Sequence, residues 1–212
     1  MKERPILFSA PMVNATLEGR KTQTRRVIKP QPEEIIVGDM LQPGIYYRDA
    51  DPDQQIHCPY GQPGDRLWVR ETWAPFGDYV LFRADGEEYL STCETPGGGY
   101  PENCRHHPGC EACTAEGTLI KWRPSIHMPR WASRITLKIK SIRVERVHDI
   151  TEADAVAEGI ETHLSGCWTQ TGGYADTARL AFGALWDSIN SKRGYGWNLN
   201  PWVWVIEFER IK

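Results

Sequence analysis

From Ser133 to Ile150 apolar residues recur at every second position, the period of a β-strand. Ile135, Leu137 and Ile139 share one parity, and Ile142 and Val144 share the other. The change of parity near Ser141 predicts a β-bulge or bend there. Trp202, Trp204, Ile206 and Phe208 repeat the same period and line one face of a C-terminal strand. Shorter strand signals fall at Ile6-Leu7-Phe8, at Thr22 to Ile28 (ended by Pro30 and Pro32), at Arg66 to Arg70 after the Pro63-Gly64-Asp65 turn, and at Tyr79 to Arg83. The stretch from Glu33 to Pro63 is rich in Pro, Gly and Asp and reads as loop, with a strand at Ile45 to Arg48. Three helices fit between. Met12 to Glu18 is closed by Gly19, and a short helix capped by Thr151 and Asp154 ends at Gly159. Ala178, Ala181, Phe182, Leu185 and Ile189 follow the spacing of an amphipathic helix before a Gly/Asn-rich loop at Ser191 to Asn200. Strands with interspersed short helices imply an α+β or β-barrel architecture.

The chain has 212 residues, which suits a single domain with an insertion. Residues 91 to 117 are the insertion: dense in Cys, Gly, Pro and His, they lack the aliphatic residues to bury a core. No apolar run approaches the ~20 residues of a membrane span, and the N-terminus lacks the apolar core of a signal peptide. A cytoplasmic location is therefore expected, with the six cysteines reduced.

The net charge is −3, yet Gly19 to Lys29 carries Arg20, Lys21, Arg25, Arg26 and Lys29 and no acid. A basic focus on an acidic chain fits a local anion site better than a broad DNA-binding surface. The nine tryptophans supply core and, where exposed, flat platforms for bases. On spacing alone, Lys21 and the arginines read as a solvated edge strand with Thr24 an ordinary strand residue.

Gly19-x-Lys21-x-x-x-x-Arg26 resembles the signature of the ASCH domain, a relative of the PUA-like RNA-binding barrels. The runs Pro63 to Trp73, Ile126-His127-Met128-Pro129-Arg130-Trp131 and Asn200 to Ile206 resemble the larger ASCH proteins of phages and prophages, in the same order. The resemblance covers most of the chain except residues 91 to 117. It implies an α+β fold: a PUA-like β-barrel of five to six strands, with short helices at its mouth and the Cys-rich stretch inserted. It also implies a cleft for a nucleotide or RNA segment. Of the relatives with known activity, some hydrolyse the amide of N4-acetylcytidine and others are ribonucleases. The amidohydrolase pattern Gly-Arg-Lys-Thr-x-Thr is similar to Gly19 to Thr24. It implies Lys21 as proton acceptor and Thr24 as nucleophile, and Glu158 fits the proton donor, with Glu152 and Glu161 as alternatives. This chain is about twice the size of the small amidohydrolases.

The chemistry sets conditions. A threonine hydroxyl attacks only when a base takes its proton. A lysine is that base only when neutral, so burial or a neighbouring positive charge must lower its pKa, and Arg20, Arg25 and Arg26 are at hand. A carboxyl donates to the leaving amine only if its own pKa is raised. Residues 21 and 24 of a regular strand face opposite sides, so their cooperation requires a turn or bulge after Gly19. The same basic segment also suits a non-catalytic reader of RNA or modified bases. In a ribonuclease, Lys21 and Arg26 would stabilise the charged transition state.

Arg70, Glu71 and Trp73 follow a strong strand; Trp73 would stack on a base and Arg70 bind a phosphate or orient Glu71, unless Trp73 is core. Lys121-Trp122-Arg123 and His127 to Trp131, including Arg130 and Trp131, interleave bases with aromatics as single-stranded nucleic acid binding requires. Tyr195 to Asn198 would cover the cleft or form a surface turn with Trp197 tucked inward. Cys110-x-x-Cys113 has the spacing of zinc ligands, and Cys93 and Cys104 complete a four-thiolate structural site, with His106 or His107 as substitutes. No cofactor is expected for catalysis. The expected partner is a modified nucleoside or single-stranded RNA, with a host protein as a further partner.

Overall fold

The computed structural model describes residues 1–37, 45–47, 56–76, 79–86, 121–163, 166–168 and 174–212. Its strands are β1 (Glu3–Leu7), β2 (Gln23–Val27), β3 (Ile35–Val37), β4 (Ile45–Tyr47), β5 (Arg66–Arg70), β6 (Trp73–Phe76), β7 (Tyr79–Phe82), β8 (Thr136–Arg146), β9 (Glu161–His163), β10 (Gly166–Trp168), β11 (Tyr174–Ala175) and β12 (Trp202–Arg210). Its α-helices are α1 (Ala10–Leu17), α2 (Glu152–Ala157) and α3 (Ala178–Asn190). The fold is mixed α+β. A five-stranded sheet runs β1-β5-β8-β12-β2, a three-stranded sheet runs β11-β10-β9, and β3-β4 and β6-β7 are separate pairs. Among the described residues no helix is long and apolar enough to cross a membrane.

The chain forms two compact units. One comprises Met1–Arg4, Ala15–Leu67 and Thr136–Lys212; the other comprises Pro5–Asn14 and Trp68–Ile135.

In the first unit β12 lies between β8 and β2, antiparallel to both. The bulge expected near Ser141 is present. Glu207 pairs with Ser141 and Phe208 with Ile139, so Lys140 is the extra residue. That one residue brings Leu137 and Ile139 onto the same face as Ile142 and Val144, opposite Phe208, Ile206 and Trp204. The parity slip in the sequence is thus the signature of a single continuous apolar face. Val203 and Val205, on the reverse face, are also fully buried. A strand buried on both faces reads as near-continuous apolar sequence, which is what Trp202 to Ile206 shows.

Helix α2 starts as the sequence implies. Thr151 Oγ1 accepts from the Asp154 amide at 3.1 Å, and Asp154 Oδ2 accepts from the Thr151 amide at 3.4 Å. Helix α3 buries Ala178, Ala181, Phe182, Leu185 and Trp186. The three-stranded sheet between α2 and α3 gives no clear period in the sequence, since its strands are two or three residues long.

In the second unit Trp73 is core, packed with Met128 and Ala132, and Trp131 stands 71% exposed with its ring edge-on to Trp73 at 5.9 Å. Strand β6 begins at Trp73, directly after the Glu71-Thr72 pair, and pairs with β7.

Candidate functional site

Lys21 reaches its place through a helix end. Gly19 has φ of 78°, a left-handed turn that an L side chain adopts at a cost, and it ends α1. The Lys21 amide then donates to the Ala15 carbonyl at 2.9 Å, and the Thr22 amide donates to the Ala157 carbonyl of α2 at 2.9 Å. The segment is pinned on both sides before β2 begins at Gln23. This is the turn after Gly19 that the spacing of residues 21 and 24 demanded.

Lys21 is 2% exposed, and its ammonium meets three acceptors: the Gln23 carbonyl at 2.8 Å, the Glu158 carbonyl at 2.7 Å and Glu158 Oε2 at 2.8 Å. Three donors meeting three acceptors is the demand of a charged lysine rather than a neutral one. Glu158 is the residue that closes α2, and it is 3% exposed. Burial pulls the Lys21 pKa down from its ordinary value, the Glu158 carboxylate works against that pull, and Arg26 and Arg25 add to it.

Glu158 also faces Arg25, whose Nη1 lies 3.4 Å from Oε1. The Arg25 side chain is fully buried; its Nη2 lies 3.1 Å from Glu145 and 3.3 Å from Asp154, and its Nη1 donates to Gln23 Oε1. Gln23 in turn donates to Asp154 at 3.1 Å. Arg143 continues the chain to Glu145, Asp154 and Glu207, and Ser141 donates to Glu207 at 2.8 Å. The result is an alternation of charges from Lys21 through Glu158, Arg25, Asp154 and Glu145 to Arg143 and Glu207. Gln23, Arg25, Arg143, Glu145 and Glu207 share one sheet face, because Gln23 pairs with Glu207, Arg25 with Val205, and Val205 with Arg143. Lys21 and Arg25 are therefore buried in a network and do not form a solvated edge.

Thr24 is buried too, but it alternates with Gln23 and Arg25. It pairs with Ile206, which pairs with Ile142, so its side chain leaves on the apolar face of the sheet. Arg26 shares that face, opposite Trp204, and burial pulls its pKa down from the ordinary value.

The three glutamates considered for the acid role separate cleanly. Glu158 meets Lys21. Glu152 accepts from the Ala178 amide at 2.8 Å and from the Arg179 amide at 3.3 Å, capping α3. Glu161 pairs with Arg20 at 3.0 Å, and Arg20 also pairs with Glu18, both on exposed side chains. Sequence reasoning missed Glu145, Asp154 as an ion-pair partner, Arg143, Gln23 and Glu207. The available signal was local: along β8, Lys138, Lys140, Arg143 and Glu145 alternate with apolar residues.

In the second unit Glu71 is 1% exposed and held in a fork by Arg134, with both distances 3.0 Å. Burial raises the Glu71 pKa and Arg134 opposes it. Arg134 also pairs with Asp85 at 2.7 Å and lies over the Phe82 ring at 4.0 Å. Arg70 does not orient Glu71; its Nε donates to the Met128 carbonyl at 3.0 Å and its guanidinium lies over Trp68. Arg130 also lies over Trp68. Arg123 lies over Trp73 and exchanges two backbone hydrogen bonds with it.

The Tyr195 to Asn198 loop is fastened inward. The Trp197 amide donates to Asp187 at 2.6 Å, and the Trp197 ring stacks 4.6 Å from His148. A Cβ on Gly183 would lie 3.3 Å from that ring, so glycine there admits the tryptophan. Cys93, Cys104, Cys110 and Cys113, with His106 and His107, lie outside the described residues. Among the described residues Cys58 and Cys167 are free thiols, and no cluster of three or more His, Cys, Asp or Glu is placed to hold a metal.

Compared with known proteins, the chain matches no family model, no curated protein and no solved structure.

Proposed function

We propose that the chain is an ASCH-type hydrolase of acylated pyrimidine nucleosides such as N4-acetylcytidine, free or within RNA, working in the cytoplasm on a PUA-like scaffold. The observation that carries the reading is the hydrogen bond between Lys21 Nζ and Glu158 Oε2, two residues 137 apart in sequence and 2.8 Å apart in space.

Amide hydrolysis needs a neutral amine to take a proton and a protonated carboxyl to give one. The resting ion pair differs from that state by one proton moved along the Lys21–Glu158 bond, and burial of the lysine lowers the cost of taking its proton away. Neutral Lys21 takes a proton as oxygen attacks the acyl carbon. Glu158 gives its proton to N4 as the C–N bond breaks. The products are a carboxylic acid and the free amine of cytidine, and the pair is left as ammonium and carboxylate, its resting form. Because Thr24 points to the apolar face of β2, this reading gives the attack to water. Thr24→Ala then keeps turnover within about tenfold of wild type, and no acyl-enzyme accumulates.

The test is incubation with N4-acetylcytidine, as nucleoside and within an RNA oligonucleotide, with release of acetate and cytidine measured. Absence of turnover on both would sink the hydrolase reading. Loss of turnover in Thr24→Ala, with an acyl-enzyme trapped in wild type, would return the nucleophile to Thr24.

The burial of Lys21 and Glu158 favours a second reading, in which the network fastens α2 to β2 and the chain holds RNA or a modified base without converting it. Salt-dependent RNA binding with no turnover marks that case. A structural zinc on Cys93, Cys104, Cys110 and Cys113 is a separate proposal resting on the Cys110-x-x-Cys113 spacing. Metal analysis should give one zinc per chain, lost in Cys110→Ser/Cys113→Ser.

A further inference from the structure

We propose that Arg25 is a positioning residue that holds the Glu158 carboxylate against Lys21 and decides where their shared proton rests. On sequence Arg25 is one of several basic residues that would meet a substrate anion. Its geometry excludes that task. Its side chain is fully buried, and its two Nη atoms are occupied by Glu158, Glu145, Asp154 and Gln23. The guanidinium addresses the oxygen of Glu158 that Lys21 leaves open: Lys21 takes Oε2 and Arg25 takes Oε1. The carboxylate is thereby fixed at both oxygens, and its second cation sits on the side away from the lysine.

Electrostatics then gives Arg25 a defined effect. Among the described residues the charged groups acting on the pair include Arg25 and Arg26, with Glu145 and Asp154 behind Arg25. A positive charge in contact with Glu158 stabilises the carboxylate and so favours the ion pair. It also disfavours a second proton on the pair. Removing the charge makes the pair bind protons more strongly, and both of its macroscopic titration steps move to higher pH. Glu145 and Asp154 temper this by drawing Arg25 away from Glu158, so removing the Glu145 charge moves both steps to lower pH.

The kinetic consequence rests on the hydrolase reading; the titration does not. The experiment is therefore double. The Glu158 carboxyl is followed by 13C NMR against pH in wild type, Arg25→Gln, Arg25→Lys and Glu145→Gln, and the pH profile of kcat/KM on N4-acetylcytidine is measured for the same proteins. Arg25→Gln should shift the titration and both limbs of the profile upward by about 1 pH unit, about tenfold in rate on the acid side. Arg25→Lys should restore most of the shift, and Glu145→Gln, at a side chain 22% exposed, should shift both downward. A merely structural role lowers the height of the profile and leaves its limbs in place. If the Glu158 titration of Arg25→Gln coincides with wild type, or if Glu145→Gln moves it upward, the inference fails, whatever the activity. If the titrations move as stated and no protein turns over substrate, the hydrolase reading fails and the inference stands.

Discussion

Lys21 sits where a lysine keeps its charge only because every donor is met, so its energetics depend on its partner more than on itself. Removing one member of a buried pair leaves an uncompensated charge, whereas removing both leaves a site that apolar side chains can fill. Lys21→Met alone should therefore cost about 3–5 kcal/mol, and Lys21→Met/Glu158→Leu should recover most of it. Denaturant unfolding of the two singles and the double checks this, and additive losses would show that the two side chains do not share a proton-bearing bond. The tryptophans offer the contrasting case. Trp73 is 2% exposed and Trp131 is 71% exposed although their rings touch. Trp73→Ala should cost about 3–5 kcal/mol and Trp131→Ala less than about 1. The same melts measure both.

At the level of elements, α2 is only six residues long and holds its place through its ends. Asp154 closes the capping box and also faces Arg25 and Arg143 from the first turn of the helix. Burial alone would raise its pKa, but hydrogen bonds from Gln23 and Thr151 and the charge of Arg25 take it below the ordinary carboxylate value. A depressed carboxyl stabilises the fold fully above its unfolded pKa, about 4, and loses that contribution as pH falls through the folded value. Asp154→Asn keeps a capping side chain and removes the charge. It should be less stable than wild type at pH 6, by about 1 kcal/mol, with the difference shrinking as pH falls through the folded value. A constant difference across that range would show that the ion pairs contribute nothing. The cap was legible in the sequence because capping is local, a matter of Thr151 and the residue three positions on. The bulge in β8 was legible for a similar reason: parity is a property of one strand. The role of Asp154 toward Arg25 was not legible. It depends on α2 crossing the sheet face formed by β2 and β8, and no local pattern encodes that contact. The short strands β9, β10 and β11 were missed because two or three residues show no period.

At the scale of the whole molecule, a chain with net charge −3 gathers its basic N-terminal segment and neutralises it internally. Arg25 and Lys21 are spent on Glu158, Glu145 and Asp154, and Arg20 on Glu18 and Glu161. The segment that looked like an anion site is thus largely a charge network that joins α2, β2, β8 and β12. What it offers is narrower than a basic patch and better defined: one buried lysine hydrogen-bonded to one buried glutamate. The measurement that tests this most directly is release of cytidine from N4-acetylcytidine by wild type and by Lys21→Met/Glu158→Leu, at matched folded fraction. The account predicts turnover by wild type and none above background by the double variant. Equal rates from the two proteins, or no release by either, would contradict it.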